Sequence, residues 1–393
     1  MQIWRDKVNT KPEGLVWAIV ARFMAVALFF DSLAPLFPQI AKSYNISDGT
    51  FQAMLGASYV AFAFSQLISV FIINLVGPCR TSSLSCLYLG LAAILLCFIQ
   101  NSHVFGAVLL SMFAINSMGS NATRVALRQA TSDGAYKKIY AWATGAVEIK
   151  QIAMPLIAGA LSAAFGWRVA MTALVTPVVV AGVSIELIDR RQPEKTVRAK
   201  TCVPDHSGWK TLLTMPAFVR PTLIAAAFQI AFSPLSARLP FLLANEARLT
   251  PTMVGLVLSA STSAVAGGLF VSGYLAPRWP GKALMQTGAM IMMAGAVTML
   301  FGHMLGVCCA IAATIVVQAA FGFIIPPCSG DALSASEQHR ITASAIFGFV
   351  QAIVAGLSIA IVGASGLAKT GAITILPAMA VATIVAIMAV IRD

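Results

Sequence analysis

The chain has 393 residues, of which 59% are hydrophobic and 10% charged, with a formal net charge of +12. A soluble domain carries about 25% charged residues, so a chain this poor in charge, with a mean hydropathy of +0.85, cannot cover a water-exposed surface. A soluble enzyme, a nucleic-acid binder and a disordered chain are excluded, which leaves an all-α membrane protein.

A bilayer is crossed by about 20 mostly apolar residues in a helix. Twelve such runs are predicted, at 15–37, 51–76, 82–101, 104–123, 139–163, 169–188, 219–243, 252–276, 284–303, 306–328, 341–364 and 371–391. The first follows Arg5, Lys7 and Lys11 and outlasts a signal-peptide core of about 7–15 residues, so it reads as a retained span. Lys and Arg gather on the cytoplasmic side of membrane proteins. With the amino terminus placed there, nineteen of the 26 basic residues fall on that side, from Arg5 through Arg80, Arg128 and Lys210 to Arg392. Lys42, Arg168, Arg248 and Lys369 fall opposite, and Arg22, Lys150 and Arg238 lie inside runs. Both termini are therefore expected in the cytoplasm, and the lean loops suggest a bacterial inner membrane.

The longest polar segment, 189–218, is basic, carries Pro193, Pro204 and Gly208, and divides the runs six and six. The expected organisation is an amino-terminal six-helix bundle (1–188), a basic cytoplasmic linker (189–218) and a carboxy-terminal six-helix bundle (219–393), as in duplicated transporters. The seven cysteines show no zinc spacing and mostly sit in apolar runs, where they read as small hydrophobes. His103, His206, His303 and His339 are scattered, and neither HExxH nor a GxxxxGK[ST] loop occurs. No metal, cofactor, nucleotide or enzymatic activity is expected. The expected partners are a small-molecule solute, protons and the lipid bilayer, with no nucleic acid, and the chain is expected to be a monomer.

Four places, the first of them a pair of matching loops, resemble the major facilitator superfamily, and within it the twelve-helix drug:proton antiporters of the Bcr/CflA and EmrD type. Gly273-Tyr-Leu-Ala-Pro277-Arg278-Trp-Pro-Gly281-Lys282 is similar to the superfamily's loop signature, with Pro277 in place of its acid. The matching first-half loop, Asn74-Leu-Val-Gly77-Pro-Cys-Arg80, has Asn74 at the acid position. Met154-Pro155-Leu-Ile-Ala-Gly159 resembles the antiporter motif of the fifth helix, which bends and packs tightly. The stretch Phe321–Gln351, with Pro326-Pro327 and Gly348-Phe-Val-Gln351, resembles a Bcr/CflA run. Asp31-Ser-Leu-Ala-Pro35-Leu-Phe-Pro38 resembles the family's first helix, where some antiporters carry a proton-binding acid. Phe113 stands where the resemblance implies a fourth-helix arginine. The resemblance implies gating or packing roles for Gly273, Arg278, Lys282, Gly77, Arg80, Pro155 and Gly159, with the two glycine-bearing loops allowing close helix approach.

Ionisable groups inside spans cost about 2.5–3.5 kcal/mol each on insertion scales, so they mark aqueous cavities or ion pairs. Glu148, near the middle of the fifth run, is the first candidate for proton coupling, and Asp31, read as lying near the outer end of the first, is the second. Arg22, Lys150, Arg238, Gln229 and Gln351 are the candidates for the substrate cavity. An Arg22–Glu148 pair is expected between adjacent helices. Pro234 and Pro240 around Arg238 suggest a broken helix, and Gln351 either faces the cavity or bonds a neighbouring helix. Three cations against two acids suit an anionic or zwitterionic solute, such as a carboxylate metabolite or siderophore, moved by alternating access. The expected direction is proton-coupled efflux. Import or uniport of an organic anion, and export of lipophilic cations, are the alternatives.

Overall fold

The computed structural model describes residues 13–131, 133–190, 206–305, 307–336, 339–365 and 375–390. Every regular element among them is helical: α1 (Glu13–Asp31), α2 (Phe37–Ser43), α3 (Asp48–Val76), α4 (Pro78–Phe98), α5 (Ser102–Ala130), α6 (Asp133–Arg190), α7 (His206–Thr214), α8 (Pro216–Phe241), α9 (Pro251–Leu275), α10 (Gly281–Leu305), α11 (Val307–Ala319), α12 (Phe321–Ser334), α13 (Arg340–Ala364) and α14 (Ile375–Val390). Nine segments among the described residues are long and apolar enough to cross a membrane. Their outward faces are apolar, with Leu75 83% and Phe98 78% exposed, as lipid rather than water demands.

Local chemistry sets the helix ends. Gly77 adopts φ 93° between α3 and α4, a conformation open to a residue without Cβ, and Pro78 opens the next helix without needing a backbone donor. Asn101 caps α5 by accepting from the amides of His103 and Val104. The long element α6 changes direction at Gly166, φ 80°, which separates the predicted runs 139–163 and 169–188. Two junctions in the two halves of the chain share one design. Asn45 and Arg248 both take φ 53°. Each stands two residues before a hydroxyl N-cap, Ser47 bonding the Thr50 amide and Thr250 bonding the Met253 amide.

Three predicted runs are divided or extended differently from expectation. The first run does not end near 37. Helix α1 stops at Asp31, a 3-10 turn follows at Ala34–Leu36, and α2 carries the segment on to Ser43. Pro35 lacks an N–H to donate and clashes with a continuing α-helix, which accounts for the break. The run 306–328 is two helices, α11 and α12, meeting at Ala320. Conversely, α8 passes unbroken through Pro221, Pro234 and Pro240 and gives way to a π turn only at Leu242–Glu246, so the helix is not broken around Arg238. Residues 191–205 of the linker lie outside the described residues, and its remainder folds as α7. Of the cysteines, Cys79, Cys86 and Cys328 are buried as expected of small hydrophobes, whereas Cys308 is exposed.

Helices α1 to α6 pack on one another and α8 to α14 pack on one another, with separate cores centred on Phe51, Leu89 and Phe105 and on Phe228, Val317 and Ile324. The two groups meet along two seams, α3 on α13 and α6 on α9. Glycine lets the backbones touch there. A Cβ on Gly56 would lie 2.5 Å from the Gly356 oxygen and the Ala360 nitrogen, and one on Gly49 would lie 2.5 Å from the Gly363 oxygen. Across the other seam, a Cβ on Gly159 would lie 2.4 Å from the Pro251 oxygen, and one on Gly255 would lie 2.4 Å from the Pro155 oxygen. All these contacts fall toward the end of the molecule that holds Ser47, Gly166 and Thr250, away from the start of α1.

Candidate functional site

The break after α1 places Asp31 within the span rather than at its end. At about 1.5 Å per residue it lies ~27 Å from Glu13, with α2 still to follow. Ser32 folds back to the Phe29 carbonyl at 2.8 Å, and the Asp31 carboxylate accepts a hydrogen bond from Nε2 of Gln151 on α6. The phenol of Tyr59 lies within the field of that carboxylate. Phe113 sits between Phe30 and Tyr59, 5.1 Å from each ring. Asp31, Gln151 and Tyr59 are all half-buried. A carboxylate held by an amide and walled by aromatic rings can exchange a proton and can attract a cation.

A second polar pair stands on the corresponding helices of the other half. Nε2 of Gln229 on α8 donates to Oε1 of Gln351 on α13 at 3.3 Å, and the Ser233 hydroxyl donates to Oε1 of Gln229 at 2.8 Å. The structure thus brings together two residues singled out in sequence, through a bond between helices. The repeated Asn45 and Arg248 junctions relate α1 to α8, and both Gln151 and Gln351 belong to helices that form a seam. The first half bonds a carboxylate, the second an amide.

The charged candidates go elsewhere. Arg22 is 1% exposed and turns toward α4 and α5, where it donates to Ser85 at 3.1 Å and to Ser120 at 3.5 Å. Its Nε is buried without a hydrogen-bond partner. Gly119 makes room for the guanidinium, since a Cβ there would lie 2.4 Å from Nη2. Lys150 is exposed beside Ile149, itself 63% exposed, half a helical circuit from Gly159 at the seam. It joins neither polar pair. Arg238 donates to Glu246 at 2.9 Å, near the end closed by the seams, which makes it part of an ion pair there. Glu148 lies in α6 one turn before Gln151, and its side chain is outside the described residues, as is the expected pairing with Arg22.

Among the gating and packing candidates, Pro155 and Gly159 form the α6–α9 seam. Gly273 and Gly77 meet nothing within 4 Å of an added Cβ, so close approach is supplied instead by Gly268 against Ala319 and Gly322. Arg278 lies over the Tyr274 ring at 5.0 Å and donates to its hydroxyl. Arg80 is exposed, and Lys282 lines a cavity at the start of α10.

Sequence reasoning missed Gln151, Tyr59 and the closing contacts. Asn245 donates to Asp48 at 2.8 Å, joining the two helix groups directly, and Phe51 packs edge-on against Phe241 at 5.5 Å. Gln151 could have been noticed as a polar residue deep in the fifth run. Its partner, 120 positions away, could not.

Comparison with known proteins agrees with this architecture. The family profile described as Major Facilitator Superfamily matches residues 19–359. No curated protein matches the chain. Among solved structures, the chain is similar to a bacterial homologue of the human lysosomal transporter Spinster in an inward-facing, unoccupied conformation, with a TM-score of 0.73, 14% identity, and 97% of this chain and 96% of that one covered. The POT family transporter PepTSo is similar with a TM-score of 0.74 and 12% identity over 97% and 98% of the two chains. The nucleoside transporter NupG is similar with a TM-score of 0.69 and 13% identity over 96% and 100%.

Proposed function

Because the chain belongs to the Major Facilitator Superfamily, a family of membrane transporters rather than enzymes, we propose that it is a secondary transporter that exports a small organic solute in exchange for protons taken up at Asp31. In this reading twelve spans form two six-helix bundles, 1–188 and 219–393, joined by the 189–218 linker, with both termini in the cytoplasm. The basic residues of the loops support that orientation. The end closed by the glycine seams is then the outer one, and the molecule faces inward. The Bcr/CflA and EmrD type of antiporter remains our reading of the first-helix and Phe321–Gln351 motifs.

The observation that carries the proposal is Asp31 at the helix break, bonded by Gln151 and flanked by Tyr59, Phe30 and Phe113. In the inward state the Gln151 amide stabilises the charged carboxylate, which binds solute. In the outward state a proton takes the carboxylate, the attraction ends and the solute leaves. Rocking of one bundle on the other about the seams carries the group between the two sides.

The solute we favour is an amphipathic organic cation. The expectation of an anionic or zwitterionic solute counted Arg22, Lys150 and Arg238 as cavity groups. One is sealed among helices, one lies beside the exposed Ile149, and one is paired with Glu246. What stands beside the helix break is a carboxylate among aromatic rings, which suits a cation.

Proteoliposomes loaded with a pH-sensitive dye test this. Lipophilic cations should move protons in the wild type and fail to do so in Asp31→Asn, whose neutral side chain mimics the protonated group and should also lose exchange of the labelled cation. Proton movement with carboxylate metabolites alone would overturn the solute assignment. Proton movement retained in Asp31→Asn and lost in Glu148→Gln would move the coupling site to α6.

A further inference from the structure

A separate cavity of about 510 Å³ opens between the first turns of α8 and α10 and the last turn of α12. It lies at the end of the molecule where α1 begins, far from the glycine seams. Its wall is largely apolar, including Pro221, Ile224 and Met285, and three charged side chains stand at its rim: Arg220, Lys282 and Asp331. All three are exposed, and none has a hydrogen-bond or ion-pair partner among the described residues. Two cations and one acid facing the same space, without bonding one another, form a site of mixed sign.

The position narrows what such a site would hold. Both α8 and α10 begin here, so the positive ends of two helix dipoles add to Arg220 and Lys282. That combination suits a phosphate. Asp331 instead suits a group that carries positive charge and N–H donors. The exposed rings of Tyr274 (67%) and Trp279 (41%) lie just before α10, at a level where aromatic side chains meet lipid headgroups.

The geometry points to a phospholipid site specific for a zwitterionic headgroup with a primary ammonium, phosphatidylethanolamine by chemistry. Arg220 and Lys282 hold its phosphate and Asp331 accepts from its ammonium. A choline headgroup offers Asp331 no N–H, and a glycerol headgroup offers it no positive charge. The site needs only the membrane placement of the fold and is independent of solute and direction.

The test uses the full-length protein in detergent with dioctanoyl lipids, read by native mass spectrometry and by thermal melting. The wild type should bind phosphatidylethanolamine about tenfold more tightly than phosphatidylcholine, the value of one charge-assisted hydrogen bond, and more tightly than phosphatidylglycerol. Asp331→Asn should erase the preference for ethanolamine over choline. Lys282→Gln combined with Arg220→Gln should weaken all three lipids, while Lys282→Arg should keep the wild-type order. Equal binding of the three lipids by the wild type would overturn the proposal, and so would an unchanged preference in Asp331→Asn. Equal stabilisation by chain-free O-phosphoethanolamine would assign the cavity to a soluble ligand and overturn the lipid site.

Discussion

The two halves of the chain build the same device from different chemistry. On α1 and α6 an amide meets a carboxylate, Gln151 with Asp31, and on α8 and α13 an amide meets an amide, Gln229 with Gln351. The helices correspond, and the junctions that follow α2 and α8 share the same φ of 53°. One half carries a group that can change charge and the other carries groups that cannot. A proton can therefore act on the first half while leaving the second chemically unchanged, which confines the change of charge to the Asp31 side.

The largest effect that would break this comparison is expected at Asp31. Asp31→Asn removes the titratable member and leaves two amide pairs, so solute-driven proton flux in proteoliposomes should fall to the level of empty vesicles. Next comes the seam. Gly56→Leu drives a side chain into the Gly356 and Ala360 backbone and cannot be accommodated while the end is shut. Spin labels at Gln100 and Ser365, on opposite sides of that end, should report a population shifted to longer distances. An unchanged distance distribution would mean that these glycines do not close the molecule.

A smaller effect is expected in the second half. Gln351→Leu leaves the Gln229 amide without its acceptor, so the KM for solute should rise about five- to tenfold, with the proton-to-solute ratio unaltered. A changed ratio would show that coupling is shared between the halves. The smallest effect is expected at Arg22, which bonds serines and no described acid. Arg22→Met replaces a buried cation by an apolar chain of similar length, and such replacements are often neutral or stabilising. Transport should persist, and the melting temperature should hold or rise by a few degrees. Loss of transport in a folded Arg22→Met protein would return this arginine to the transport pathway.

How much was legible in advance follows the physics of each feature. The apolar runs and the basic loops are properties of single segments, and each predicted run has a helix over it. The Asp31 break was only half legible. Pro35 and Pro38 were visible, but the hydropathy that defines a span does not fall at a kink, so the run read as continuous to 37. At Arg238 the opposite error arose, because proline alone does not break a helix whose neighbours tolerate the lost bond, and α8 runs straight past Pro234 and Pro240. The directions of Arg22 and Lys150 were not legible. Both depend on which helix lies alongside, and that is decided by contacts between residues far apart in the chain. Gln351 was singled out for its polarity within a span, but its partner emerged only from the packing of α8 on α13.

The seams also bear on how such a protein can change over generations. They are made by backbone against backbone at glycines, while the polar pairs proposed to meet proton and solute lie on α1 and α8 and at other positions of α6 and α13. On the proposed function, a substitution at Gln229, Gln351 or Tyr59 alters what is recognised without touching the glycine contacts of the seams. A substitution at Gly56 or Gly159 does the reverse. Recognition and motion are thus encoded at separable sites, and selection could retune the cargo repeatedly while inheriting the machinery intact.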